Sequence, residues 1–117
     1  MEQLNIIDVI TKRLLKEKEI RALFLKGSFA RNEVDEYSDI DYYVIVHDEE
    51  VESFLNKRIE ILQSYRPLIY YSEANFVGPQ IVGVYDNGLH IDLYTITLNN
   101  LKQSDKIKVL YDPEHLL

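Results

Sequence analysis

Residues 22–46 read ALFLKGSFARNEVDEYSDIDYYVIV, and the fold turns on how this stretch is divided. An apolar run, Leu23 to Leu25, breaks at Gly27-Ser28. Ten residues later a pair of aspartates, Asp39 and Asp41, opens a second apolar run from Tyr42 to Val46. Side chains two apart in a strand share a face, so Asp39 and Asp41 are expected to project together while Ile40 points away. The run after them is apolar on both faces, as in a strand covered on both sides. Two carboxylates fixed side by side repel unless a cation lies between them. Hard oxygen ligands of this kind suit magnesium, which keeps some waters and completes its shell with substrate phosphates. The stretch points to phosphate chemistry.

The rest of the composition narrows the setting. A chain of 117 residues is expected to form a single domain, residues 1–117, around one core. It has no cysteine, so disulfides and thiolate metal sites are excluded and a reducing cytoplasm is the expected location. No apolar stretch approaches the roughly 18 residues of a membrane span. A net charge of −7 argues against broad nucleic-acid binding, which needs lysine and arginine to neutralise phosphates. A small phosphorylated substrate is still allowed, because bound divalent ions invert the local field.

Working outward, residues 4–18 carry a helical stripe of Ile6, Ile7, Ile10, Leu14 and Leu15. Ile20 to Leu25 reads as a strand. Ser28 is placed as the N-cap of a short helix, and residues 32–38 as a surface loop leading into a strand from Asp39 to Val46. Asp48 is expected to cap one helix with Val51, Phe54, Leu55, Ile59 and Leu62 on its buried face, ending before Pro67. Leu68 to Tyr71 is a strand. Asp86-Asn87-Gly88 is a tight turn joining Ile81–Tyr85 and Leu89–Ile96 into an antiparallel hairpin. Leu98 to Gln103 is a helical turn, and Ile107 to Tyr111 a last strand. The expected fold is of the α/β (α+β) class: a mixed, partly antiparallel sheet with helices packed on it.

A third acid, Asp92, sits in His90-Ile91-Asp92-Leu93-Tyr94, where a carboxylate among apolar neighbours is costly without a partner. If its strand lies beside that of Asp39 and Asp41, three carboxylates converge. Such a set suits two divalent ions about 3.5–4 Å apart. Gly27 lets the backbone approach a phosphate, and the Ser28 hydroxyl with N–H groups at a helix start offers anion donors. Arg31 and Lys26 are further candidates for a phosphate contact. The chemistry served is in-line attack of a hydroxyl on the α-phosphate of a nucleotide, with release of pyrophosphate.

Gly27-Ser28, the spacing to Asp39-Ile40-Asp41, and the later Asp92 resemble the nucleotidyltransferase superfamily that includes DNA polymerase beta. The stretch from Gly27 to Asp41 looks most like the bacterial lincosamide and aminoglycoside antibiotic nucleotidyltransferases. The likeness extends through Tyr85-Asp86-Asn87 to Val109-Leu110-Tyr111-Asp112. The resemblance implies that Asp39 and Asp41 bind two magnesium ions, and that Asp92 binds the catalytic one and helps deprotonate the acceptor. It also implies that Gly27 and Ser28 hold the triphosphate of ATP or another NTP. The implied reaction transfers AMP to the hydroxyl of a small antibiotic-type acceptor. Those enzymes continue into a helical domain that completes the acceptor pocket. The chain is therefore expected to be a catalytic domain, self-associated as a homodimer or completed by a helical protein partner. An antitoxin that modifies or masks a helical toxin is the alternative, and a non-catalytic nucleotide-binding scaffold the second alternative.

Simpler roles compete at several positions. His47, His90 and His115 lack metal-ligand spacing and are expected at the surface or in packing. Tyr42, Tyr43, Tyr85 and Tyr94 could stack on a base, but sheet packing is the ordinary role for each. Glu33, Asp35 and Glu36 read as a solvated loop.

Overall fold

The computed structural model describes residues 1–75, 77–101 and 106–117. Helix α1, Glu2–Leu14, leads into strand β1, Ile20–Lys26, and the short helix α2, Ser28–Arg31. Strand β2, Ile40–Val46, is followed by a 3-10 turn, Asp48–Glu50, and two short helices, α3, Val51–Leu55, and α4, Arg58–Leu62. Strands β3, Leu68–Asn75, β4, Pro79–Tyr85, and β5, His90–Ile96, come next. A 3-10 turn, Leu98–Asn100, precedes β6, Lys108–Tyr111. The expected mixed sheet is present: six strands in the order β3-β4-β5-β2-β1-β6. β2 and β5 run parallel, and every other neighbouring pair is antiparallel.

The alternation within β2 sorts its side chains onto two faces. Ile40, Tyr42, Val44 and Val46 join Ile6, Ile10 and Leu14 of α1, Phe54 of α3 and Leu62 of α4 in the main core. On the other face Ile45 packs with Ala22, Phe24 and Ile96 in a smaller cluster. β2 is thus covered on both sides over its second half, as its unbroken apolar run implies. The buried phenol of Tyr42 shares a hydrogen bond of 2.6 Å with Thr11, tying α1 to the sheet.

Several local expectations need correction. α1 stops at Leu14, and Leu15 lies beyond it, 46% exposed rather than in the stripe. Ser28 is the first residue of α2, not its cap; Gly27 holds that position and no side chain caps the helix. Asp48 does not cap either, since His47 precedes the 3-10 turn. The single helix expected through Leu62 is broken at Asn56-Lys57. Asparagine competes for backbone hydrogen bonds and favours such breaks. The break turns Ile61 into the core and sends Lys57 to Glu17 and Glu19, at 2.9 and 2.8 Å. β3 runs on to Asn75, well past Tyr71, because β4 pairs with it along its whole length. The turn after Thr97 covers Leu98–Asn100 and ends at Leu101, which is extended; Lys102 and Gln103 of the expected stretch lie outside the described residues. The hairpin turn is as expected: Gly88 has φ +83° and donates to Tyr85 at 2.9 Å.

Candidate active site

The parallel pairing of β2 with β5 decides where the acids go. It sets Ile40 beside Ile91, Asp41 beside Asp92 and Tyr43 beside Tyr94. Ile40, Ile91 and Leu93 turn into the main core, so Asp41 and Asp92 stand together on the opposite face, near the start of both strands. Both are partly buried. Burial is the largest influence raising the Asp92 carboxyl, to about 6, followed by the charges of Asp41 and Asp39. A hydrogen bond from protonated Asp92 to Asp41 acts in the same direction on Asp92. Burial also raises Asp41, against the bond from Asp92 and the charge of Arg31, which lower it.

Asp39 departs from the expected geometry. β2 begins at Ile40, so Asp39 stands one residue ahead of the strand and is exposed. Its charge still acts on both Asp41 and Asp92. Among the described residues, the trio of histidine and acidic side chains with ligand atoms within 4.8 Å of one another is His47, Glu49 and Glu50. That trio follows the far end of β2, away from Asp41. The three aspartates are set more widely, as three like charges are expected to be.

The loop carrying Asp39 is not merely solvated. Gln3 of α1 is buried, and its amide donates to the carbonyls of Asp35, Glu36 and Ser38 at 3.2, 3.0 and 3.3 Å. The Asp35 carboxylate accepts the Tyr37 N–H at 2.8 Å, and the Ser38 hydroxyl accepts the Asp35 N–H at 3.0 Å. This clamp fixes the entry to β2. Sequence reading missed Gln3, because one glutamine among surface-helix residues carries no signal of what it reaches.

Gly27 completes the corner. Its φ of +68° is a conformation that side-chain-bearing residues rarely adopt. A Cβ there would lie 2.2 Å from Asp41 Oδ2, so the glycine backbone and the Asp41 carboxylate are in close approach. Ser28 opens α2 directly after it. Arg31, at the end of α2, pairs with Glu33 at 3.3 Å while its charge acts on Asp41. Lys26 is the cross-strand neighbour of Asp41 on β1, and its ammonium lies 4.8 Å from the centre of the Tyr43 ring.

Below the acids the same face is aromatic. Phe24 stacks on Tyr43 at 5.0 Å, and Tyr43 on Tyr94 at 4.3 Å. Gln80 donates to the Tyr94 hydroxyl at 3.2 Å. Tyr43 is enclosed between two rings, and Tyr42 and Tyr85 are fully buried, so these three serve packing rather than base stacking. His90 lies exposed on the strand face of Asp92, and its charge works against the rise in the Asp92 carboxyl.

Residues 8–76 match the family model described as polymerase beta, nucleotidyltransferase. The chain belongs to that family. The matched span holds Gly27, Ser28, Arg31, Asp39 and Asp41 of this nucleotidyltransferase domain, while Asp92 lies beyond it. Among solved structures, an aminoglycoside 6-adenyltransferase from Bacillus subtilis is similar with a TM-score of 0.57 at 19% identity. That likeness covers 80% of this chain and 34% of the adenyltransferase. Terminal uridylyl transferase 4 from Trypanosoma brucei, solved with bound GTP, is similar with a TM-score of 0.50 at 15% identity. It covers 75% of this chain and 27% of the uridylyl transferase. At these identities the likeness is one of fold, and the nucleotidyltransferase domain spans about a third or less of either chain. No curated protein matches the chain. No helix among the described residues is long and apolar enough to cross a membrane.

Proposed function

We propose that this domain is a magnesium-dependent nucleotidyltransferase that moves AMP from ATP to the hydroxyl of a small acceptor of the antibiotic type. The observation that carries the reading is the pairing of Asp41 with Asp92 against the Gly27 corner. Two partly buried carboxylates, with a third charge at Asp39, form an oxygen-only donor set that suits a hard divalent ion. Bound there, magnesium supplies charge neutralisation for the phosphates and activation of the acceptor oxygen.

The chain's own residues take the remaining roles. Asp39 and Asp41 would hold the magnesium that carries the triphosphate, and the missing Cβ of Gly27 leaves room for the Asp41 carboxylate itself. Ser28 offers its hydroxyl and Arg31 its guanidinium to phosphate oxygens. Asp92, the strand partner of Asp41, takes the acceptor proton as general base. The acceptor oxygen forms a bond to the α-phosphorus as the bond to pyrophosphate breaks, and the proton leaves through Asp92. The absence of cysteine fits a reducing cytoplasm.

The test is incubation with α-labelled ATP, magnesium and a panel of aminoglycoside and lincosamide acceptors. Label on an acceptor, with one pyrophosphate released per transfer, supports the reading. A domain that turns over neither ATP nor any other nucleoside triphosphate with any acceptor contradicts it.

A further inference from the structure

The sheet face that carries the acids is closed over β1 and β2 and open toward β3. At its closed end Leu101, Ile107 and Leu117 pack on Ala22, Phe24, Ile45 and Ile96. Register carries the open end across three strands. Asp92 of β5 pairs with Val82 of β4, and Val82 with Ser72 of β3. In the next row on this face, His90 pairs with Val84 and Val84 with Tyr70. Directly paired residues share a face, so these side chains lie on the side of Asp92, opposite Ile81 and Tyr85 of the main core. Val82 and Val84 belong to an inner strand yet are only half-buried, and Tyr70 is 60% exposed.

We propose that this strip of β4 and β3 is the platform on which the acceptor lies, with Tyr70 as the residue that selects it. The inference rests on the nucleotidyltransferase reading of the Asp41–Asp92 pair. In-line displacement puts the attacking and leaving oxygens on opposite sides of the α-phosphorus. Ser28 and Arg31, the residues offered to the phosphates, follow β1, and β1 flanks β2 on the side away from β5. Pyrophosphate therefore departs toward β1, and the acceptor hydroxyl arrives over β5, where Asp92 takes its proton. The body of the acceptor behind that hydroxyl extends over β4 and β3.

The lining sets the acceptor's chemistry. Residues 67–101 hold no lysine or arginine, so strands β3 to β5 bring none to this face. Glu73 is turned to the other face, where it pairs with Ile81 across the strands and with the Arg58 guanidinium. A phosphorylated acceptor would meet Asp92 with no neutralising side chain from these strands. An uncharged or cationic acceptor is favoured, with an apolar flank to lie on the valines and the Tyr70 ring. Two strand spacings, about 10 Å, separate Asp92 from β3, so that flank lies roughly this far from the reacting hydroxyl.

The test follows the backbone amide resonances of the full chain with magnesium and a non-hydrolysable ATP analogue. The probes are a lincosamide, which joins a hydroxylated sugar to an alkylated ring, an aminoglycoside, polar throughout, and a short oligonucleotide with a free terminal hydroxyl. The lincosamide should shift Tyr70, Ser72, Val82 and Val84 and bind more tightly than either other probe. Tyr70→Ala should weaken that binding about tenfold. Tyr71→Ala, the same truncation on the opposite face of β3, should leave it within about twofold. Both tyrosines are exposed, so neither change disturbs the core. Shifts confined to other residues, equal loss in the two variants, tighter binding of either other probe, or no binding of any probe at about 10 mM would each overturn the platform. Pyrophosphate release from ATP is read separately. Transfer to an acceptor that leaves those amides unmoved overturns the platform alone, whereas no transfer to any acceptor overturns the reading beneath it.

Discussion

Asp41 and Asp92 are cross-strand partners in the parallel pair β2–β5, close enough that burial and then the Asp41 charge raise the Asp92 carboxyl. In an antiparallel pair of the same strands, an acid near the start of one would face the far end of the other. Parallel pairing brings both acids to one end of the sheet, and alternation turns both away from the main core.

This pair makes the protein's stability depend on pH. The Asp92 carboxyl rises from an ordinary 3.8 to about 6 in the fold, so between those values the native state holds a proton that the unfolded chain has lost. Metal-free protein is therefore most stable below about pH 4 as far as this group is concerned. Its contribution falls as pH rises toward 6 and is fully lost above that. Solvent screening of a partly exposed group reduces the effect to on the order of 1 kcal/mol. Urea denaturation at pH 4.5 and 7 should show the drop, and Asp92→Asn should remove it. Equal slopes for parent and variant would remove Asp92 as the cause.

Asp92→Asn separates binding from transfer. The amide keeps the shape but accepts no proton, so transfer should fall about 10²–10⁴-fold. Binding of a fluorescent ATP analogue with magnesium should stay within a few-fold of the parent. Unchanged turnover would exclude Asp92 from the reaction.

Gly27→Ala should damage the site more than the fold. The added methyl meets Asp41 Oδ2 in a backbone conformation, φ +68° and ψ −146°, that residues other than glycine adopt only at a cost of roughly 1–3 kcal/mol. Displacing Asp41 should lower transfer by about 100-fold, as small misplacements near reacting groups do. A variant with parental turnover and parental stability would show that the Gly27–Asp41 approach has no role.

Gln3→Ala tests the clamp from α1. The Glu36 and Ser38 carbonyls lose the Gln3 donor while that of Asp35 keeps the Ser38 N–H, which should cost about 0.5–1.5 kcal/mol of stability. If the clamp also positions Asp39, magnesium-dependent nucleotide binding should weaken while Gln3→Glu, restoring size without the donor, fails to rescue it. Normal binding in a destabilised variant would confine Gln3 to a structural role.

Much of this was legible in the sequence, for a physical reason. Gly27 and the Asp86-Asn87-Gly88 turn are local signals set by positive φ, and alternation along the strand places Ile40 and Asp41, whereas Asp39 stands ahead of the strand and escapes it. Asp92 could be recognised as a costly carboxylate, but its neighbour across the sheet depends on strand order, which no local pattern encodes. Gln3 and the Phe24–Tyr43–Tyr94 stack are likewise products of tertiary contact. The broken helix at Asn56-Lys57 escaped because its apolar spacing fits one helix, while core packing at Ile61 and the pull of Glu17 and Glu19 on Lys57 favour two.

The most direct measurement is divalent-ion binding at the Asp41–Asp92 pair, followed by the electron spin resonance of manganese in place of magnesium, with a non-hydrolysable ATP analogue present. The parent should bind manganese and nucleotide together, and Asp41→Asn should weaken that binding at least about tenfold while remaining folded. An Asp41→Asn domain that binds manganese and nucleotide as tightly as the parent would contradict the assignment of this carboxylate pair as the catalytic centre.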